Sequence, residues 1–553
     1  MVKRILKILN IEISGLHEAA YLLGAFAFAS HLLALLRDRS LAYFFGAGET
    51  LDIYYASFRL PDFIFITVAS IVSISVLIPF LADKSREENG GMQNFVDSIF
   101  TTFFLFIVIV SGILFFFTPW IVIAMFPGFE GEALAKTISL TRILLLSPIL
   151  LGLSNLFASI IQINKKFVVY ALSPLLYNIG IIFGIFFLYP RFGIEGLAYG
   201  VVLGALLHLL IQIPVASGVG LLPKLSTKIN LKDVKKVTLL SLPRTLTMSA
   251  NQIALFFLVG MASVMGVGAI SVFSLSFNLQ AVPLSIIGVS YSVAAFPTLA
   301  KLFSKGEKDK FLKQIISATR HVIFWSFPAL VLFIVLRAQI VRTIFGAGEF
   351  DWSDTRLTAA CLAMFAFSIT AQSLNLLFIR GYYAMGNTKR PLFINVFSSV
   401  TIIGWAILLN WCFVNIDLFR YFIESMFRVE NLEGTIVLML ALSYSLGTIM
   451  NAGLLMVMFQ KDFKNFISFI SGTFWHSLSS SVVIGYVAYK FLDIFAQFLN
   501  LDTLWGIFFQ GLFAGIIGII AGVIILWVLK NKELQEIRSA LNKKIWKSGA
   551  ILP

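Results

Sequence analysis

The chain has 553 residues, of which 59% are hydrophobic and only 13% charged, with 56 Phe among them. Soluble domains need about a quarter of their residues charged, so a set of soluble domains is excluded and a polytopic membrane protein is indicated. The net charge of +14 raises nucleic acid as a partner, but the charge sits in alternate loops rather than on one basic face, which excludes that reading.

A helix crossing the hydrocarbon needs about 20 apolar residues. About fourteen such runs fill the chain, near 17–44, 50–82, 96–126, 134–162, 167–189, 194–216, 236–264, 270–303, 314–344, 355–385, 390–414, 434–459, 465–496 and 504–530. They are continuous rather than alternating, so the expected fold is all-α and not a membrane β-barrel. Ahead of the first, "MVKRILKILNIEISGLHEAA" is basic but has no long apolar core or small-residue cleavage site, and a cleaved signal peptide is not expected.

Lys and Arg collect in every second loop: "KRILK" at 3–7, "DKSR" at 83–86, "NKK" at 164–166, the stretch 223–236, "KGEKDKFLK" at 305–313, "TKR" at 388–390, "KDFK" at 461–464 and the tail from 530. This positive-inside pattern predicts a protein of the cytoplasmic membrane with both termini cytoplasmic and an even number of spans. The segment 531–548 mixes basic residues with Leu, Ile and Trp, as in a helix lying on the inner leaflet. Cys361 and Cys412 both fall in predicted spans, so neither a disulfide framework nor a metal site is expected.

Charged residues inside a span are functional candidates by default. In chain order, the first span carries His31, Arg37, Asp38 and Arg39, and the second carries Asp52, Arg59 and Asp62, with Pro61 interrupting it. Arg37 and Asp38, about 100° apart on a helix, are expected to seek partners elsewhere rather than each other. Arg59 lies seven residues after Asp52, on the same face, within reach of a partner in the first helix. Two readings stand for this set: ion pairs that lock two helices together, and a substrate-binding group.

Further along, Arg142 lies in the fourth span, Arg244 opens the seventh with Asn251 and Gln252 behind it, Asn278 marks the eighth, and Arg380 closes the tenth. Several Arg and few acids suit an anionic ligand, because guanidinium grips phosphate bidentately. The competing reading for Arg142, Arg244 and Arg380 is snorkelling from span ends. His208, His321 and His476 are isolated, and packing or interfacial roles are expected for them. No phosphate-binding glycine loop, metal-spaced Cys/His cluster or nucleophile triad is present, so no cofactor and no enzymatic reaction is expected.

Two stretches repeat. Laid over one another at an offset of about 220 residues, 46–82 and 266–300 bring "SFRL" onto "SFNL" and "PFLA" onto "PTLA", and 125–157 falls on 344–378 at nearly the same offset. Two six-helix lobes in parallel pseudo-repeat are therefore expected, with two C-terminal helices appended. The predicted division is 1–216 for the first lobe, 217–235 for a cytoplasmic linker, 236–459 for the second lobe, 460–530 for the last two helices and 531–553 for a basic tail. The pentapeptide "FGAGE", at 45–49 and 345–349, is not part of this symmetry. The offset pairs its first copy with 266–270 and its second with 126–131, and both copies are expected at tight glycine turns on the outer side.

"LLRDRSLAYFFGAGETLDIYYASFRLPDF" at 35–63 closely resembles the MurJ/MviN lipid II flippase family of the MOP exporter superfamily. The likeness continues through "AMFPGFEG", "GVSYSVAAFPTLAKL", "IFGAGEFDWSDTRLTA" and "RGYYAMGNTKRP", covering about 400 residues in order. The resemblance implies a fourteen-helix fold with a central cationic cavity, and last helices that form a groove for a lipid tail. It implies alternating-access transport of an undecaprenyl-diphosphate-linked cell-wall precursor, with membrane lipids and cell-wall synthesis enzymes as further partners. Arg37, Asp38, Asp52, Arg59 and Arg380 match the family's pattern. His31, Phe65, Ile66, Ser70 and Asn278 stand where it usually has charged residues. Arg37 and Arg59 are expected to contact phosphate, with Asp38, Asp52, His31, Asn278, Gln252 and Arg380 completing the substrate-binding set. The alternatives are a flippase for another lipid-linked oligosaccharide, a multidrug or cation antiporter, and a transport-dead scaffold.

Overall fold

The computed structural model describes residues 12, 16–69, 77, 80, 81 and 91–539, except for the side chains of 16–21, 69, 243 and 244. "KRILK", "DKSR", Ser70, the Arg244 side chain and the tail from 540 lie outside the described residues. Everything described is helix or connection, with no strand among the described residues. In hydrocarbon each backbone polar group must be satisfied within its own segment, which long apolar helices achieve.

Eleven of the described helices are long and apolar enough to cross a membrane, or twelve when a bent pair is counted as one span. The expected count of fourteen is not reached by that measure. Helix Leu16–Phe45 carries Arg37, Asp38 and Arg39 and stands outside the set. So does the second expected span, which is broken into Glu49–Ser57, Arg59–Ile64 and a π-helical segment Phe65–Ala69. The tenth expected span is the bent pair, Trp352–Ala366 and Ile369–Ala384, turning by 42°. An additional helix, Asp417–Phe427, occupies what the sequence presents as a loop.

By compactness the chain divides into residues Met1–Ser271 and Val272–Pro553. Helix Leu231–Ala262, the first of the expected second lobe, packs within the first of these units against the wide-turn segment Phe65–Ala69 and helix Gly91–Met125. In the same unit, helices Phe167–Phe183 and Ile194–Leu210 meet along glycines. A Cβ on Gly180 would stand 2.3 Å from the Gly204 Cα, and one on Gly200 would stand 2.5 Å from the Gly184 Cα. Small residues four apart let membrane helices approach this closely. Helix Leu16–Phe45 then lies against Phe167–Phe183, which brings the charges of the first span to a polar residue of the fifth.

The repeat has a structural signature in each unit. Ser57 Oγ donates to the Thr137 carbonyl at 3.3 Å in the first, and Ser276 Oγ donates to the Thr358 carbonyl at 3.0 Å in the second. Donors and acceptors are both about 220 residues apart. The same interval separates the π segments Phe65–Ala69 and Leu284–Val289, and the break at Leu145 from the bend after Ala366. It also pairs Gly46 (φ 57°) with Gly266 (φ 114°). In the second "FGAGE" the left-handed residue is Gly348 (φ 68°) rather than the motif's first glycine, so the two copies turn differently.

Candidate functional site

Arg37 and Asp38 share the second half of helix Leu16–Phe45, and they pair with each other. Arg37 Nε and Nη2 both lie 2.8 Å from Asp38 Oδ1, and Nη1 donates to Asn178 Oδ1 at 3.2 Å. This corrects the expectation that adjacent residues cannot meet. Their Cβ atoms do diverge, but the long Arg stem carries the guanidinium back over its neighbour. In a poorly solvated interior the gain from doing so is far larger than in water. The Asp38 side chain is 3% exposed, the Arg37 side chain 21%.

Asn178, which sequence reasoning missed, is itself buried. Its amide donates to the Pro174 carbonyl at 3.1 Å and to Ser30 Oγ at 3.4 Å. The signal for it was an Asn in the apolar run "LLYNIGIIFGIFF", where a side-chain amide has no water to satisfy it. Tyr54 and Tyr55, buried on helix Glu49–Ser57, stand within electrostatic range of Arg37 and Asp38.

The carboxylate of Asp52 goes elsewhere. It is 3% exposed and accepts three bonds: from the Gly268 amide at 2.6 Å, the Ser271 amide at 2.7 Å and the Ser271 hydroxyl at 2.6 Å. An acid receiving the free N–H groups at the start of a helix satisfies donors that the helix leaves open and complements its dipole. Asp52 is therefore a capping residue in this structure, and sequence reasoning missed both its partners. Arg59, half-buried, feels the charge of Asp62 one turn later on the same face.

The remaining candidates are dispersed. In the first unit His31 is exposed on helix Leu16–Phe45, and Gln252 is buried on Leu231–Ala262. In the second unit Asn278 and Arg380 are half-buried, on helices Ala269–Pro283 and Ile369–Ala384. Phe65 and Ile66 lie in the first π segment, partly buried. Arg142 lies over the Phe115 ring at 5.0 Å and donates to the Phe115 carbonyl at 3.2 Å, the behaviour of a side chain anchoring a helix. Of the histidines, His208 pairs through Nδ1 with Ser154 Oγ at 2.7 Å and His321 meets Glu536 at 3.1 Å. Among the described residues no group of His, Cys, Asp or Glu is placed to hold a metal ion.

The first unit thus holds a half-buried cation held by one carboxylate oxygen and one amide oxygen, arranged so that an incoming anion would find a guanidinium already oriented. The model of the family described as "Lipid II flippase MurJ" matches residues 41–509. The chain belongs to the lipid II flippase MurJ family.

Members of that family similar to this chain include the lipid II flippase MurJ of Burkholderia cenocepacia, 24% identical over 386 residues, 68% of this chain and 75% of that protein. A probable lipid II flippase MurJ from Buchnera aphidicola subsp. Acyrthosiphon pisum is 29% identical over 376 residues, 67% of this chain and 73% of its own length. Among solved structures, a lipid II flippase MurJ in an inward closed conformation superposes with a TM-score of 0.71 at 22% identity, covering 94% of this chain and 99% of that one. An inward-facing multidrug resistance MATE family transporter of the MOP superfamily gives 0.62 at 17% identity, covering 79% and 96%. The MATE likeness is one of fold, whereas the MurJ family match runs through the first-unit residues Asp52, Arg59 and Gln252.

Proposed function

We propose that the chain moves lipid II, an undecaprenyl-diphosphate-linked cell-wall precursor, between leaflets of the cytoplasmic membrane by alternating access during peptidoglycan synthesis. Membership of the MurJ family and a multi-pass helical fold support this reading, and the observation that carries it at the site is the caged guanidinium of Arg37. A diphosphate offers several anionic oxygens where Asp38 offers one. Arg37 exchanges that oxygen for the substrate's headgroup, Arg59 adds a second positive contact, and Asp38 recovers Arg37 when the substrate leaves. Asp38 then keeps the half-buried cation charge-paired between cycles, where Asn178 alone offers it only a neutral oxygen. His31 and Gln252 add substrate contacts from the first unit and Asn278 and Arg380 from the second, both termini are cytoplasmic, and cell-wall synthesis enzymes receive the product.

The test is rescue of a strain depleted of its own lipid II flippase, read together with lipid II translocation in that strain. The intact chain is expected to rescue and the Arg37→Ala variant to fail although it is made and inserted. Transport at the normal rate by that variant would overturn the assignment.

A second reading, a flippase for another lipid-linked oligosaccharide, is favoured by one observation. His31, Phe65, Ile66 and Asn278 occupy positions where the family resemblance implies charge. It predicts no rescue by the intact chain, together with the same dependence on Arg37 for the other substrate.

A further inference from the structure

Helix Leu504–Val528 ends at a sharp reversal. Lys530 takes a left-handed conformation (φ 50°), its amide bonds to the Trp527 carbonyl at 3.0 Å, and the Asn531 amide returns to the Leu526 carbonyl at 3.0 Å. These bonds satisfy the carbonyls that a helix end leaves open. Asn531 Oδ1 then accepts the Leu534 amide at 3.0 Å, an N-cap that starts a short helix over 532–539. The chain folds back on itself within a few residues.

The two arms enclose a cleft of about 1050 Å³. Ile524, Trp527 and Val528 line one side and Leu534 and Ile537 the other, with Lys530 and Arg538 also in its wall. On the membrane helix these apolar groups are open, Trp527 being 67% exposed.

The terminal arm is pinned to the second unit independently of the cleft. Glu533 is 1% exposed and accepts from Arg320 Nε at 2.5 Å and from Thr473 Oγ1 at 2.7 Å, and Glu536 meets His321 at 3.1 Å. Burial pushes the Glu533 carboxyl up, but the Thr473 hydroxyl and the Arg320 charge outweigh it and hold the group below its ordinary range. Glu533 is ionised at neutral pH, so its contact with Arg320 holds the terminal arm beside the cleft.

One polar group in the wall is unmatched. Asn531 is 1% exposed and its Oδ1 is occupied by the cap, but its Nδ2 has no partner among the described residues. A buried N–H donor is costly to leave unmade. We propose that this cleft binds an anionic phospholipid of the bilayer, one acyl chain lying along Trp527, Ile524 and Leu534 and the phosphate accepting from Asn531 Nδ2 between Lys530 and Arg538. The apolar wall fits a chain, the amide donor and two cations fit a phosphodiester, and basic residues beside a span end are the usual means of holding anionic headgroups. The occupant is a structural lipid and not the transported one. The inference stands apart from the transport reading, since it needs no turnover.

The experiment uses the full chain in phosphatidylcholine nanodiscs with a photoreactive phosphatidylglycerol probe, mapping the labelled peptide by mass spectrometry. Labelling is expected within 523–538 and is competed by unlabelled phosphatidylglycerol but not by added phosphatidylcholine. The Lys530→Gln, Arg538→Gln double variant is expected to weaken capture roughly 25-fold, two basic contacts at about a fivefold effect each. Should that variant fail to fold, Asn531→Asp keeps the capping oxygen, replaces the donor by an acceptor, and is expected to reduce capture at unchanged melting temperature. Equal competition by phosphatidylcholine, unchanged labelling of a folded variant, or displacement of the probe by undecaprenyl diphosphate more effectively than by phosphatidylglycerol would each overturn the proposal.

Discussion

The two copies of the repeat share a skeleton and differ in charge. In each, a buried serine donates to a threonine carbonyl, Ser57 of helix Glu49–Ser57 to Thr137 and Ser276 of helix Ala269–Pro283 to Thr358, and a π segment follows eight residues on. Two residues after that serine the first copy has Arg59 and the second Asn278. The same offset carries Arg37 and Asp38 onto the apolar run "LFFLV" at 255–259. Around Gln280 and Gln372 in the second unit the buried polar network is made of amides and hydroxyls. Gln372 Nε2 donates to Gln280 Oε1 at 2.8 Å and to Ser368 Oγ at 2.7 Å, and the Tyr444 hydroxyl reaches Gln372 Oε1 at 3.4 Å. Neutral networks specify packing without presenting charge to a ligand, so the two copies contrast an ionic cluster around Arg37 and Arg59 with a neutral one around Gln372.

The largest expected effect tests whether the charges of the first copy act on substrate or only on each other. Arg37→Ala removes the guanidinium from the buried Asp38 carboxylate, which is expected to lower stability by up to about 3 kcal/mol and to abolish transport. Removing both, Arg37→Ala with Asp38→Ala, takes away the carboxylate as well and is expected to recover part of the stability but none of the transport. Thermal unfolding in detergent and lipid II translocation in a depleted strain read the two separately. A double variant that transports normally would reduce the pair to a lock between helices and leave the two copies alike in function.

The next effect exploits Arg59 against Asn278. Arg59→Asn makes the first copy resemble the second, and the loss of a charge-assisted contact, about 1.5–3 kcal/mol, is expected to slow translocation by roughly one to two orders of magnitude. The reciprocal Asn278→Arg is expected to be tolerated and to tighten headgroup binding, measured as retention of radiolabelled lipid II on the purified protein. Equal losses from both exchanges would mean that the asymmetry has no bearing on transport.

Much of this contrast was legible in the sequence, and the reasons it was not wholly so are physical. Continuous apolar runs gave the helical class because a bilayer permits few alternatives, and "SFRL" against "SFNL" located a symmetry that the serine hydrogen bonds later matched. The span count fared worse. Helix breaks at Leu145 and after Ala366 and the π segments depend on tertiary packing, and apolar composition does not record them. At the site, residue types were readable but partners were not. Arg37 meets Asp38 because a long side chain can fold back, which helical angles alone do not capture, and Asp52 finds Gly268 and Ser271 across more than 200 residues of chain.

Asp52 supplies a smaller and purely structural test. Its carboxylate satisfies three donors at Gly268 and Ser271, so Asp52→Ala is expected to lower stability by about 2 kcal/mol and Ser271→Ala by about 1 kcal/mol. The two together are expected to cost less than their sum, because they share bonds. In the second unit a buried acid outside the repeat, Glu533, offers a parallel test. Its folded pKa lies below the ordinary 4.5, so its contribution is complete above that value and is lost only as pH falls through the lower folded value. Hydrogen exchange over 532–539, corrected for intrinsic rate, is expected to stay slow at neutral pH and to accelerate below about pH 4.5. Glu533→Gln is expected to loosen the segment at neutral pH and to flatten the acid dependence.

The smallest effect bears most directly on the shared skeleton. Ser57 Oγ donates to the Ile53 carbonyl at 2.7 Å and also reaches the Thr137 carbonyl, while Ser276 Oγ donates to Thr358, and both serines are fully buried. Replacing either by Ala removes one hydroxyl and leaves a carbonyl with one contact fewer, a loss of about 0.5–1.5 kcal/mol. The longer Thr137 contact and the competing bond to Ile53 place Ser57→Ala at the lower end of that range and Ser276→Ala at the upper. Neither variant touches a charge, so translocation per folded molecule is expected to be unchanged in both. Melting temperatures that fall in that order with intact transport would establish the serines as matched structural struts. A transport defect in Ser57→Ala alone would mean that the strut also positions Arg59, and the division between skeleton and charge would have to be drawn elsewhere.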